Sequence, residues 1–302
     1  MIIDSHAHYI RKNFDGSFRF LMAEKGAFRI KEGTRETILN DMRASGIAAS
    51  VEPGVELESN EALLKFCRRH PGTVFPAVGV HPTRVFPLRW KDRKTIDDLS
   101  KDPLVVAIGE TGLDYHNERK DQHRLRQLFW FRHQIRLADR RKLPLILHIR
   151  MAHRDALRVL RLNRKRLHGG VAHCFSGSAR EAEELVELGF SIGIGGALLH
   201  DGEQRTVLEE AVRRTPLEKI LVETDAPYVL PTFQDESVSK KAKRKIRNTS
   251  LILPAVIRRI AELKEMDEPE VERAVCINTM KVFGLHSLEK VISGSPADGE
   301  GC

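Results

Sequence analysis

Eight short apolar, β-rich runs alternate with amphipathic stretches from one end of the 302-residue chain to the other. The runs span 2–8, 47–51, 74–81, 104–110, 145–148, 170–175, 190–194 and 220–225. Helix-like segments lie between them near 35–45, 59–70, 94–100, 119–142, 153–167, 178–188 and 203–214, and two more follow near 250–265 and 268–283. Near-continuous hydrophobicity within the runs marks strands buried on both faces, as in a parallel sheet covered by helices. Eight βα repeats in this length specify an α/β fold, a closed (β/α)8 TIM barrel, here with two additional C-terminal helices. A doubly wound open sheet is the alternative, but no Gly-x-Gly-x-x-Gly or phosphate-loop pattern follows any run. Ser178 and Glu181 are placed for a capping box, Gly189 for a helix stop, and Pro269 for a first helical turn. Residues 1–286 are expected to form a single barrel domain, and 287–302, with Gly294, Pro296, Gly299 and Gly301, a disordered tail.

Barrels of this kind carry their chemistry at the C-terminal ends of the strands. Ligand-type residues end the runs here: His6-Ala7-His8, Glu110, His148, His173 and Asp225. Histidines at i and i+2 on a strand point to one side, so His6 and His8 can close on one metal ion. Alternation also places Ile2, Asp4, His6 and His8 on one face, likewise Leu104, Val106, Ile108 and Glu110, and Leu221, Glu223 and Asp225. Six side chains are therefore expected to converge on one mouth. Four histidines and two carboxylates suit Zn2+, Mn2+ or Mg2+. Six ligands exceed what one tetrahedral ion with an open position takes. Two divalent ions sharing a bridging carboxylate, about 3.5–4 Å apart in hydrolases, are the natural count. Such a pair generates a metal-bound hydroxide near neutral pH, and Asp225 can accept the proton of that water. Cys174 is not expected to pair with His173 as a nucleophile, because neighbours on a strand face opposite ways.

Further motifs accompany these residues: Gly79-Val80-His81-Pro82, Gly109-Glu110-Thr111-Gly112-Leu113-Asp114-Tyr115, the stretch 144–150, His173-Cys174-Phe175-Ser176-Gly177, Glu223-Thr224-Asp225-Ala226-Pro227-Tyr228, Arg247-Asn248 and 278–285. With them the chain resembles, over roughly 1–285, the TatD family of metal-dependent deoxyribonucleases, a branch of the amidohydrolase superfamily. The resemblance implies a (β/α)8 barrel, two divalent ions and hydrolysis of DNA phosphodiester bonds as a 3′→5′ exonuclease. It implies that His6, His8 and Asp225 hold one metal, and that Glu110 bridges to a second held by His148 and His173. Asp225, with Glu110, is then catalytic. His81, Arg150 and Glu223 match recurrent positions beside the metals, with substrate-binding or supporting roles. Three departures stand out. Tyr9 and Ile10 follow His-x-His, where the family usually continues with a hydrophobic residue and Asp; weaker support around the first-metal histidines is expected. The segment from Tyr9 to Gly33 is longer than usual. Asn248-Thr249-Ser250 stands where the family has Asn-x-Pro.

Lys and Arg outnumber Asp and Glu by 50 to 42, giving a net charge of +8, which favours polyanionic partners. Six basic residues crowd the run 240–247, after the eighth strand and on the catalytic side. Lys240, Lys241 and Lys243 are candidate phosphate contacts, against the ordinary reading of a charge run as a solvated face. The cluster 161–166 is read as surface. The long first loop mixes Arg11, Lys12, Arg19, Lys25, Arg29 and Lys31 with Phe14, Phe18, Phe20 and Phe28. These phenylalanines either anchor a lid or offer stacking faces to unpaired DNA. The expected partner is DNA, single-stranded or at 3′ ends. Two rivals share the residues: a hydrolase of a small ester, amide or lactone, and a non-catalytic nucleic-acid-binding module, against which the six retained ligand types speak. No run approaches the roughly 18–20 residues of a membrane span. The N-terminus has no signal-peptide pattern, and Cys67, Cys174, Cys276 and Cys302 form no Cys-x-x-Cys pair. A cytoplasmic protein is expected, its oligomeric state open and a monomer included.

Overall fold

A computed structural model describes residues 1–24, 26–116, 121–234, 239–243 and 245–288. Lys25, Arg244 and the tail from 289 onward lie outside the described residues. Eight parallel strands stand in the order β1 (Ile2–Asp4), β4 (Ile47–Pro53), β5 (Val74–Val78), β6 (Ala107–Asp114), β7 (Leu145–Arg150), β8 (Gly170–Ala172), β9 (Phe190–Ile194) and β10 (Ile220–Val222). The ring closes just beyond the strand ends. Ser5 N–H donates to the Val222 carbonyl at 3.0 Å and His8 N–H to that of Ala226 at 2.8 Å, with Ala7 bridging Ala226 in parallel. Helices α1 (Arg35–Ala44), α2 (Asn60–Arg69), α3 (Arg93–Leu99), α4 (Asp121–Arg141), α5 (His153–Leu162), α6 (Ala179–Glu187) and α7 (Glu203–Arg214) each follow a barrel strand. The Ser178–Glu181 capping box forms at the start of α6.

Two layers of apolar side chains hold the ring. Ile3, Ala49, Val51, Ala77, Ala107, Ile146, Val171 and Leu221 fill the barrel, while Ile108, Leu145, Leu147, Ile192 and Val222 pack outward among the helices. A short helix, α8 (Lys240–Lys243), precedes α9 (Leu253–Lys264) and α10 (Glu268–Phe283). α9 packs against α7 and takes the place of the barrel's eighth helix. α10 closes the barrel floor. Its Cys276, Met280 and Phe283, one helical stripe at i, i+4 and i+7, join the interior cluster with Ile3 and Leu221.

The first loop holds a hairpin that the sequence reading treats as a loop. β2 (Phe18–Glu24) pairs antiparallel with β3 (Ala27–Gly33) from Phe18↔Gly33 to Glu24↔Ala27. The period-two alternation of Phe18, Phe20 and Met22, and of Phe28 and Ile30, is its sequence signal. Arg247 extends the hairpin: its N–H donates to the Arg19 carbonyl at 2.8 Å, and its carbonyl accepts from Leu21 N–H at 3.1 Å. Phe14 and Phe20 are buried and Phe18 and Phe28 half-buried against the core. The phenylalanines therefore anchor the loop, and Phe14 and Phe20 have no face left for a base. Truncating the α10 stripe tests the floor packing. Phe283→Ala is expected to cost about 3–5 kcal/mol, read from the urea midpoint; a loss below about 1 kcal/mol would contradict the packing.

Candidate metal centre

Glu110 sits at the middle of the barrel mouth, and a break in its strand puts it there. Ala107 points into the barrel and Ile108 out towards the helices, so undisturbed alternation would turn Glu110 outward. The β6–β7 register slips between Ile108 and Thr111, a bulge that re-aims the side chain. Gly109 permits it, since a Cβ there would stand 2.7 Å from Ile146 Cβ. The expected alternation through Leu104, Val106 and Ile108 therefore fails, and Leu104 lies in an exposed turn ahead of β6. His148 shares parity with inward Ile146, His173 with Val171 and Glu223 with Leu221. His6 and His8 lie past the end of β1, where the chain bends at Ser5 and His6. Asp225 lies past β10 with a left-handed φ of 53°. Bends, not strand alternation, aim those three.

The six ligand candidates meet. His6 Nε2 and His8 Nε2 are 3.1 Å apart, with Asp225 Oδ1 at 3.6 and 3.3 Å. Glu110 turns Oε2 towards them at 3.8 and 3.9 Å. Its Oε1 lies 2.6 Å from His173 Nε2, 2.8 Å from His148 Nδ1 and 3.5 Å from His81 Nε2. One carboxylate thus faces two groups of imidazoles. Burial alone would raise the Glu110 carboxyl, but His173 and His81 hold it well below its ordinary range. Burial opposes charge on His173 too, yet Glu110 keeps it well above the usual imidazole value. His148 is raised against burial by Asp114 and Glu110, whereas burial and His173 hold His6 well below. Protons on the imidazoles balance the buried carboxylate, and a divalent cation would displace them. Converging ring nitrogens and carboxylate oxygens of this kind fit such ions.

A surrounding set of residues holds these side chains, and spacing alone does not single it out. His148 Nε2 faces Asp114 Oδ2 at 3.0 Å, the partner that orients a ligating imidazole. Asp114 stands four residues after Glu110 in the same strand, and its sequence signal is its place in the 109–115 motif. Glu52 Oε2 accepts from Tyr9 N–H at 2.8 Å and Oε1 from Ile10 N–H at 3.1 Å. The chain after His8 is therefore held from β4, where weaker support is expected from sequence. Glu223, grouped with substrate contacts in the sequence reading, is buried; its Oε1 accepts from Cys174 N–H and lies 3.7 Å from His173 Nδ1. No substrate reaches it. Gly193 makes its room, because a Cβ there would stand 2.2 Å from Glu223 Oε2.

Two clefts of about 530 and 500 Å3 flank the centre, and His148 and Arg150 line both. Exposed Arg150 is thus in reach of a bound anion. His81 lines the second cleft. Its Nδ1 accepts from Thr83 N–H at 3.1 Å, which leaves the ring proton on Nε2, towards Glu110. Lys241 and Lys243 line neither cleft. Lys243 donates to the Phe233 carbonyl at 3.3 Å, and Lys240 opens α8.

A family model described as TatD related DNase matches residues 3–284. The chain belongs to the TatD family. The 3′-5′ ssDNA/RNA exonuclease TatD of Erwinia amylovora is 32% identical over 83% of this chain and 94% of its own length. The uncharacterized metal-dependent hydrolase YabD of Bacillus subtilis is 28% identical over 95% of this chain and all of its own. Among solved structures, YJJV, a TatD homologue from Escherichia coli K12, superposes with a TM-score of 0.77 at 27% identity, covering 94% of this chain and 98% of that one. As a TatD member the protein is a metal-dependent hydrolase acting on ester bonds, on a TIM barrel. No helix among the described residues is long and apolar enough to cross a membrane.

Metal affinity must follow the protons on the histidines. Both His173 and His148 sit above the ordinary imidazole value, so each must lose a proton before it ligates. Zinc affinity of chelator-treated protein is expected to fall steeply from about pH 8 to about pH 6, measured by competition with a chromophoric chelator. A flat profile would show that these rings do not ligate.

Proposed function

We propose that this TatD protein is a two-metal 3′→5′ exonuclease of single-stranded DNA. The observation that carries the reading is Glu110, one carboxylate with an oxygen towards each group of imidazoles, set between two clefts that share Arg150. His6, His8 and Asp225 would hold one ion and His148 and His173 the other, with a Glu110 oxygen available to each. Bound there, divalent ions would supply a more acidic water and positive charge to balance that developing at phosphorus. The other steps belong to the chain. Asp225, whose side chain is the most exposed of the six ligand candidates, lines the first cleft and takes the proton of the attacking water. Arg150 holds the scissile phosphate by charge, and His81 Nε2–H donates from the opposite side. Glu223 and Asp114 keep His173 and His148 aimed.

The nucleic-acid reading draws on the name of the Erwinia relative, an ssDNA/RNA exonuclease acting 3′-5′. It also draws on the shape and chemistry of the clefts. Phe86, 52% exposed, projects into the second cleft, and Tyr228, 46% exposed, into the first. An unpaired strand crossing the centre would place a phosphate at Arg150 with bases against these rings, and such stacking is sequence-tolerant. A small ester or lactone would leave both aromatic faces unused.

Single-stranded DNA labelled at either end, digested with and without chelator, tests the reading. A 3′ label is expected to be released first, and chelator to stop release. Loss of the 5′ label first, or hydrolysis of simple esters with DNA untouched, would overturn it. Glu110→Gln should lower kcat by about 100- to 1000-fold, the scale of one lost transition-state contact. Phe86→Ala should raise KM for the strand roughly 5- to 150-fold, the equivalent of about 1–3 kcal/mol of stacking, with kcat little changed.

A further inference from the structure

Two side chains remote in the sequence, Tyr9 and Ser250, touch each other. Tyr9, which follows the His-x-His pair, is fully buried. Its hydroxyl lies 2.7 Å from Ser250 Oγ and accepts from Ser250 N–H at 2.8 Å. Ser250, where the family has proline, donates its own hydroxyl to Asp4 Oδ2 at 2.6 Å. With that proton spent on Asp4, the Tyr9 hydroxyl is the donor to Ser250 Oγ. The direction of the whole chain follows: Ser250 N–H to Tyr9, Tyr9 O–H to Ser250 Oγ, Ser250 O–H to Asp4. A proline at 250 has neither the N–H nor the hydroxyl, and would strip the buried phenol of both partners. A phenylalanine at 9 would leave the buried Ser250 N–H without an acceptor. Each residue makes sense only with the other.

The chain ends on the elements that carry the first metal's ligands. Asp4 Oδ1 accepts from His6 N–H and from Thr224 N–H, each at 3.1 Å, and Oδ2 also accepts from Thr224 Oγ1 at 2.6 Å. Thr224 Oγ1 in turn accepts from Ala226 N–H at 3.2 Å. Asp4 therefore ties the bend at His6 to the turn that presents Asp225. Strand alternation sets neither of them; these side-chain hydrogen bonds act beside the backbone bond from Asp225 N–H to the His6 carbonyl at 2.9 Å.

We propose that Tyr9 and Ser250 are a matched pair of positioning residues for the His6–His8–Asp225 site, acting through Asp4. Neither touches substrate or cation. The inference rests on the two-metal reading above, and adds that one of the two sites is set from this pair while the other, built on β6, β7 and β8, is not.

Zinc binding by the chelator-treated full chain separates the two ideas. Tyr9→Phe and Ser250→Ala should each weaken one of two zinc equivalents by about 10- to 100-fold, the range for residues that orient ligands, and leave the other within about threefold. The double variant should be no weaker than Ser250→Ala alone, because both changes cut the same chain. Thermal melting confirms that each variant is folded. Ser250→Ala keeps the N–H that Tyr9 accepts, so it serves where Tyr9→Phe does not fold. Losses that multiply in the double variant, equal weakening of both equivalents, or zinc affinities unchanged while melting falls would each overturn the pairing. If the wild-type chain binds a single equivalent or none, the two-metal reading fails, and this inference with it.

Discussion

The Glu110 carboxylate, buried among imidazoles, is the constraint around which the mouth of the barrel is organised. A charge so placed is costly unless it is paired. Its neighbours at close range are rings of His6, His8, His81, His148 and His173. Imidazoles can hold a proton or a metal at the same ring nitrogen, so cations can take over the pairing from protons. Five strands must deliver their ends to within hydrogen-bonding distance of one another for this to happen, and a closed parallel barrel does so.

The barrel supplies directions and its irregularities supply aim. Among the described residues, non-glycine positions with left-handed φ include Cys174 at 43°, Asp225 at 53° and Val229 at 50°, all lining the first cleft. Such conformations cost on the order of 1–3 kcal/mol each and persist where the surroundings over-determine them. The surroundings here are identifiable. Cys174 is held by its N–H on Glu223. The turn after Asp225 is held by Asn248, whose Nδ2 donates to the Thr224 carbonyl at 2.8 Å and to that of Val229 at 3.2 Å.

Much of this was legible in the residues themselves. His148 and His173 are reached by plain alternation from an inward neighbour, and the helical stripe of α10 is visible as Cys276, Met280 and Phe283. Glu110 is singled out by its place at the end of a run, but the fold brings it to the mouth by another route, because a bulge intervenes. The hairpin was equally present in its alternation, obscured by the basic residues between the phenylalanines. For Glu223 the resemblance implies either a substrate-binding or a supporting role; its burial beside His173 favours the support.

The sequence by itself determined the repeat that closes into a barrel and the chemical types that arrive at its mouth. Periodicities of two and 3.6 are properties of neighbouring residues, and they can be read from neighbours. Tertiary structure decided which oxygen of Glu110 faces which histidines, that Asp114 backs His148, and that Tyr9 meets Ser250 across 241 positions. Bulges, bends and buried hydrogen bonds depend on partners remote in the chain, and only closure of the barrel brings those partners within reach.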